Sequence, residues 1–209
     1  MKLNAENIAA MASRERAAFV NSLSGFKAAN LVGTADSQGH TNLAIMSSAV
    51  HLGSHPPLLA LVIRPGGDER HTLKNILDTQ CYSINHVNAE IVEAAHQCAA
   101  RYPAEVSEFD ATGLTPLWEP GFEAPMVAEA QVSMVLRLRE HMPLAINSTH
   151  MVIGEVVFVA LPDAACRDDG TLDLVAAGTV ALSGLDAYHR VDAPKRMAYA
   201  KPDLPPRRL

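Results

Sequence analysis

Between Ala28 and Arg64 the chain reads apolar run, turn, apolar run, turn, apolar run: Ala28–Ala35, Asp36-Ser37-Gln38-Gly39, Thr41–Val50, Pro56-Pro57, Leu58–Arg64. Short apolar runs bounded by turn formers are strands, and connections this short make successive strands pair as hairpins. The texture returns at Cys81–Val87 and in the Met151–Leu161 run, and Val132, Met134, Leu136 and Leu138 alternate with Ser133, Val135, Arg137 and Arg139 as on a half-buried strand. About six strands in a chain of this length imply a mainly β fold, closed as an antiparallel barrel, because closure removes the exposed edges that template aggregation. The predicted helices are peripheral. They are an amphipathic helix over residues 5–23, a helix over Thr72–Thr79 with Thr72 as its N-cap, and a longer one capped by Asn88. The last carries Ile91, Ala95, Cys98, Ala99 and Tyr102 on one face and stops at Pro103. Val106–Pro125 reads as a covering loop with one helical turn at Ser107–Asp110, and Asp168-Asp169-Gly170 as a turn. No linker divides the chain, so one domain is expected over 1–209: an N-terminal helix in 1–24, the barrel with its inserted helices in 25–165, and a C-terminal extension in 166–209.

Charge narrows the function. Seventeen Lys and Arg against 23 Asp and Glu give a net charge of −6, which excludes a strongly basic nucleic-acid binder. With 48% hydrophobic and 19% charged residues the chain has ordinary globular composition. No apolar run approaches the ~18 residues of a membrane span, and the first residues lack a secretory apolar stretch, so a soluble cytoplasmic protein is expected. Cys81, Cys98 and Cys166 are odd in number and widely spaced, which suggests small buried hydrophobes and neither disulfides nor a zinc knuckle.

Familiar catalytic signatures are absent. The chain has no G-x-G-x-x-G, no P-loop, no G-x-S-x-G elbow and no H-E-x-x-H helix. His86, His96 and Cys98 match no standard metal-ligand spacing, so no metal is expected. Two segments carry chemistry. In Arg64-Pro65-Gly66-Gly67-Asp68-Glu69-Arg70-His71-Thr72 a strand end and a glycine turn lead into a cation, a hydroxyl and a helix start. A helix N-terminus offers unpaired N–H groups, and Arg offers a planar fork, both suited to phosphate oxygens. The same residues also suit a solvated loop in which Thr72 caps a helix and Arg70 pairs with Asp68 or Glu69. In Thr41–Val50 the apolar middle ends at Ser47-Ser48, where hydroxyls and backbone N–H groups can read the polar edge of a flat heterocycle, or simply face solvent.

Taken in order, Ala29-Asn30-Leu31-Val32-Gly33-Thr34, Gly39-x-x-Asn42-Leu43-Ala44-x-x-Ser47, Pro56-Pro57-Leu58, Arg70-x-Thr72-x-x-Asn75-Ile76 and Ile84-Asn85 resemble the flavin reductase-like family of FMN-binding split barrels. Ile153-Gly154-Glu155-Val156, Gly184-Leu185-Asp186-x-Tyr188 and Tyr199-Ala200-Lys201-Pro202 extend the resemblance toward residue 202. It implies a six-stranded antiparallel Greek-key split barrel, a homodimer, and FMN in a groove near the dimer interface. It places Ala44, Ile45, Met46, Ser47 and Ser48 against the isoalloxazine and ribityl parts, Arg70, Thr72 and His71 on the phosphate, Arg64 nearby, and Asn75 as a brace for the loop. It further implies hydride transfer from NAD(P)H to flavin N5 and on to an acceptor, with a non-catalytic FMN-binding electron carrier or redox-sensing module as the alternative. Where relatives carry Pro-Arg-Pro before the first barrel strand this chain has Gly25-Phe26-Lys27-Ala28-Ala29-Asn30, which leaves Lys27 or Asn30 in the arginine's place.

Overall fold

The computed structural model describes residues 1–66 and 71–209. Helices α1 (Ala5–Ala10) and α2 (Ser13–Leu23) open the chain, followed by strands β1 (Lys27–Ala28), β2 (Asn30–Ala35), β3 (Thr41–Met46), β4 (Ala49–Ser54) and β5 (Pro57–Ile63). Then come α3 (His71–Thr79), β6 (Cys81–His86), α4 (Val92–Gln97), α5 (Glu108–Thr112), β7 (Pro116–Leu117), β8 (Met126–Val127), β9 (Ser133–Leu144), β10 (Thr149–Ala160), β11 (Ala181–Ser183) and β12 (Ala187–His189).

Seven strands form one sheet in the order β3-β2-β6-β9-β10-β5-β4, with every neighbouring pair antiparallel. The ladder is not closed by hydrogen bonds, which corrects the closed barrel expected from edge avoidance. Its two edges, β3 and β4, are joined by Ser47 and Ser48 alone, so the chain itself bridges the split. The expected Thr41–Val50 strand is therefore two strands. Met46 is the last residue paired to β2, opposite Asn30, and Ala49 is already opposite Leu61 on β5. Counting β3 and β4 as halves of one interrupted strand reduces seven strands to the six of the expected split barrel.

Inside the barrel, Val32, Leu61, Ile63, Tyr82, Ile84, Leu136 and Val152 pack with Ile76 of α3. Outside it, Leu31 and Leu43 pack with Val87, Ala95, Phe109, Val180 and Leu182 beneath α4, α5 and β11. Strand β2 thus has an apolar layer on each face, and all six of its residues are buried. That is why its middle, Leu31-Val32, is apolar on both faces rather than alternating, while the polar Asn30 and Thr34 are buried near its ends. Fully burying a large apolar side chain contributes about 1.5–3 kcal/mol, so these two layers dominate the fold's stability.

The peripheral elements depart from expectation for local reasons. The 5–23 helix breaks at Met11 and Ala12, where the Arg16 guanidinium donates to the carbonyls of Ala9 and Met11, both at 3.0 Å, and so terminates α1. Thr72 lies within α3 rather than at its cap. The helix expected from Asn88 to Pro103 contracts to α4: Asn88 instead accepts the Glu90 N–H at 3.0 Å in a turn, and Ala99 and Ala100 bond three residues back, tightening the end. The turn expected at Ser107–Asp110 is α5, capped by the Ser107 hydroxyl. Cys81 and Cys98 are buried as expected, but Cys166 is exposed, on a surface bridge to Leu172.

On the outer face of β2 a Cβ at Gly33 would lie 2.3 Å from the Pro125 carbonyl oxygen and 2.6 Å from Ser83 Oγ. The segment cannot easily retreat, because Ser83 donates to Pro125 O at 2.6 Å and the Val127 N–H donates to Asn85 at 3.0 Å. Gly33→Ala should cost about 1–3 kcal/mol, the range for overpacking. Urea denaturation measures it, and an unchanged midpoint would mean that the Pro125 segment yields freely.

Candidate functional site

Helix α3 closes one end of the barrel through a buried polar seam. The Asn42 side-chain amide donates to Thr34 Oγ1 at 3.1 Å and to Thr72 Oγ1 at 3.0 Å, and Asn75 donates to Thr34 Oγ1 at 3.3 Å. Asn75 therefore braces the helix against β2, where the resemblance had it bracing the loop. Thr72 is 5% exposed, and because its oxygen accepts from Asn42 its own proton is left to donate. The N–H groups of the first turn of α3 have no intrahelical acceptors. A hydroxyl donor beside free amides at the positive end of a helix dipole fits a phosphate oxygen.

From this seam β3 runs toward the split. Ile45 packs on the outer layer and Met46 on the inner core, while Ala44, Ser47 and Ser48 are half-buried. Ser48 Oγ donates to Val62 O at 2.6 Å, which pins the bridge to β5 and gives this serine a structural partner. Ser47 makes no side-chain hydrogen bond among the described residues and keeps its hydroxyl available. Arg64 is exposed just beyond β5 and His71 is half-buried at the start of α3. Arg70 lies outside the described residues. Of the residues singled out in the sequence, Thr72 is tied to β3 directly, Ser48 ties β3–β4 to β5, and Arg64 stands apart from both contacts.

Glu108 carried no signal in the sequence reading. It is 8% exposed, and its Oε2 accepts the Leu43 N–H at 2.8 Å on the free edge of β3; two residues earlier the Thr41 and Ser107 hydroxyls meet at 2.7 Å. Helix α5 thus takes the place of a missing strand and holds β3 straight into Ala44–Ser48. Burial pushes the Glu108 carboxyl above its ordinary value, against the opposing pull of the Leu43 N–H and of His71.

The opposite end of the barrel is open. A chamber of about 490 Å³ lies among Asn30, Ala49, Leu59, Ile84, His86 and Met134. His86 Nδ1 lies 3.2 Å from Thr179 Oγ1, and burial depresses its pKa below the ordinary imidazole value. The sequence offered His86 only as one of three residues of a metal grouping that was set aside; here His86, His96 and Cys98 go to separate partners, Thr179, Tyr188 and Ala94. The buried thiols are unreactive in character: burial raises Cys81 and pushes Cys98 up to about 11.

A split barrel with a phosphate-compatible helix start beside a half-buried strand end is the framework of a flavin-binding protein. Residues 23–175 match the flavin reductase like domain, and the chain belongs to that family. A crystal structure from Shewanella frigidimarina NCIMB 400, provisionally described as a flavin reductase with a split barrel domain, superposes with a TM-score of 0.92 at 52% identity, covering 96% of this chain and 100% of that one. An uncharacterized protein of Aquifex aeolicus (strain VF5) is 31% identical over 134 residues, 63% of this chain and 67% of its own. The 2-nitrobenzoate 2-nitroreductase of Pseudomonas fluorescens shares the fold at 20% identity, with a TM-score of 0.82 over 98% of each chain.

A carboxyl with a raised folded pKa stabilises the fold while protonated; that contribution is full below the ordinary value of 4.5 and is lost as pH rises through the raised value. Glu108→Gln stays neutral and can still accept from Leu43. Its stability relative to the unsubstituted protein should therefore improve as pH rises from the ordinary value of 4.5 through the raised one, as read from urea midpoints. A difference that is flat with pH would show that Glu108 titrates normally.

Proposed function

We propose that this protein is an FMN-dependent oxidoreductase of flavin reductase type that takes its reducing equivalents from NAD(P)H. The observation that carries the reading is the Asn42–Thr72 hydrogen bond of 3.0 Å, which ties a phosphate-compatible helix start to the strand ending at Ser47. From Asn42 to Ser47 the strand spans roughly 17 Å, a reach that suits one elongated ligand with a phosphate at one end and a ring system at the other. A single cradle suits a single terminal phosphate, hence FMN.

When bound, flavin would supply the redox chemistry, carrying reducing equivalents from NAD(P)H to an acceptor. The chain's own residues bind and orient. In this reading the Thr72 hydroxyl and the first amides of α3 donate to the phosphate, Arg70 and His71 offset its charge, and Ser47 with the backbone of Ala44–Met46 reads the polar edge of the ring. Glu108 keeps β3 in place through Leu43. No acid–base pair is required of the protein, consistent with the absence of a triad motif. A second copy of the chain completes the assembly; Val50 and Leu52 on β4 and Val157 and Val159 on β10 are exposed apolar residues of the kind that pairing covers.

A hydrogen bond to a charged group contributes about 1.5–3 kcal/mol net, so losing one phosphate contact should weaken FMN roughly 10- to 150-fold. Arg70→Ala and Thr72→Val should each do so while changing riboflavin affinity little, which fluorescence titration of both flavins measures. Equal FMN affinity in the variants and the unsubstituted protein would remove the phosphate cradle from this reading. Anaerobic mixing of the FMN-loaded protein with NADH or NADPH should bleach the yellow flavin. Persistent colour with both would identify a carrier rather than a reductase.

A further inference from the structure

We propose that the β9–β10 hairpin carries a second site, a two-histidine chelate for a divalent transition-metal ion of square-planar preference such as Cu(II) or Ni(II). Its donors are His141 on β9 and His150 on β10, nine positions apart in the chain, with His141 Nε2 2.9 Å from His150 Nδ1. The rings are stacked, their centroids 5.1 Å apart and their planes inclined by 18°. Both residues are half-buried, so the sheet holds them and each retains surface toward solvent. A metal–imidazole bond measures about 2.0–2.1 Å, so two nitrogens at right angles on one ion stand about 2.8–3.0 Å apart, whereas a tetrahedral ion needs about 3.4 Å. The spacing of this pair is that of the right-angled arrangement.

Strand register places both imidazoles where the fold otherwise puts apolar side chains. Val152, in the inner core, is paired with His141 on one side and Leu61 on the other, and His150 is paired with Pro143 and Ile63. Directly opposed residues share a face, and on these rungs Leu61, Ile63 and Val152 are at most 1% exposed. For scaffolding alone apolar residues would serve better there, because two imidazoles on neighbouring strands repel once both are protonated. The hydrogen bond between the rings is no obstacle to an ion. One of the two facing nitrogens carries the shared proton; the other tautomer of that ring moves it to the outer nitrogen and leaves both facing lone pairs free, with no net proton released. Burial, and then the neighbouring His150, hold the His141 imidazole below its ordinary pKa, which keeps its lone pair available at neutral pH. Imidazole nitrogens suit Cu(II) and Ni(II), and with water in the remaining equatorial positions the ion is exchangeable. Neither histidine belongs to the flavin contacts proposed above.

The experiment is calorimetric titration of the full chain, first stripped of metal with EDTA and then freed of the chelator, with Cu(II) chloride in excess glycine, which holds the ion off isolated imidazoles. A first equivalent should bind more tightly than any further ion, and pulsed EPR of the one-to-one complex should report two coordinated imidazoles. His141→Phe, which gives the inner face an apolar side chain, and His150→Gln should each weaken that first equivalent about tenfold or more, since the loss of even an outer-shell partner of a metal costs that much. His40→Gln removes an exposed imidazole before β3 and should bind as the unsubstituted protein does. The proposal is overturned by the lack of a tight first equivalent, by fewer than two imidazoles in its EPR signal, by undiminished binding in either His141→Phe or His150→Gln, or by equal weakening in His40→Gln. The imidazole count is read on the unsubstituted protein and needs no variant to fold.

Discussion

One stretch of chain, Thr41–Ser54, must serve both edges of the same barrel, and the rest of the structure is arranged around that constraint. Strand β3 is committed to β2 as far as Met46, and β4 is committed to β5 from Ala49. The crossing therefore falls on two residues. Ser48 secures it by donating to Val62 O at 2.6 Å. A free edge remains on β3, and the Glu108 carboxylate occupies its Leu43 N–H where a strand would otherwise pair. The split thus leaves half-buried backbone, and a Ser47 hydroxyl with no side-chain partner among the described residues, beside the core, which a closed ladder would not.

The barrel's two ends differ in how polar groups are satisfied, and that difference separates their chemistry. At the α3 end Thr34, Asn42, Thr72 and Asn75 satisfy one another and leave the Thr72 proton as the outward donor. A satisfied network of this kind is rigid, which suits holding a charged group in one place. At the far end the Asn30 amide is buried without a partner among the described residues and His86 is half-buried, beside a cavity without formal charge among its described walls. Between them Val32, Tyr82, Leu136 and their neighbours form a dry layer that insulates one end from the other.

Much of this was legible in the sequence. The strands were announced by turn formers at Asp36–Gly39 and Pro56-Pro57 and by the alternation from Val132 to Leu138, because pleat and turn geometry act over a few residues. Thr72 stood out in the sequence because a hydroxyl near a helix start is a local feature; the structure puts it inside α3 and bonded to Asn42, 30 positions away in the chain. The break at Ser47-Ser48 was hidden: nothing in Thr41–Val50 says that its two halves pair with different strands. Glu108 looked like any acidic helix residue, since its burial comes from Leu43, 65 positions earlier.

The sequence by itself determined which segments would be strands, that the strands would be antiparallel, that the fold would be mainly β, and that a phosphate-compatible motif would follow β5. It did so because side-chain periodicity, turn preferences and helix-start chemistry are written within a few residues. Only the tertiary structure decided where the barrel splits, that Ser48 rather than Ser47 is bonded to the scaffold among the described residues, and that Asn30 and His86 line one pocket. Those outcomes depend on strand register across the sheet, where Asn30 stands between Met46 and His86, and register is set by the summed packing of both apolar layers rather than by any local run of residues.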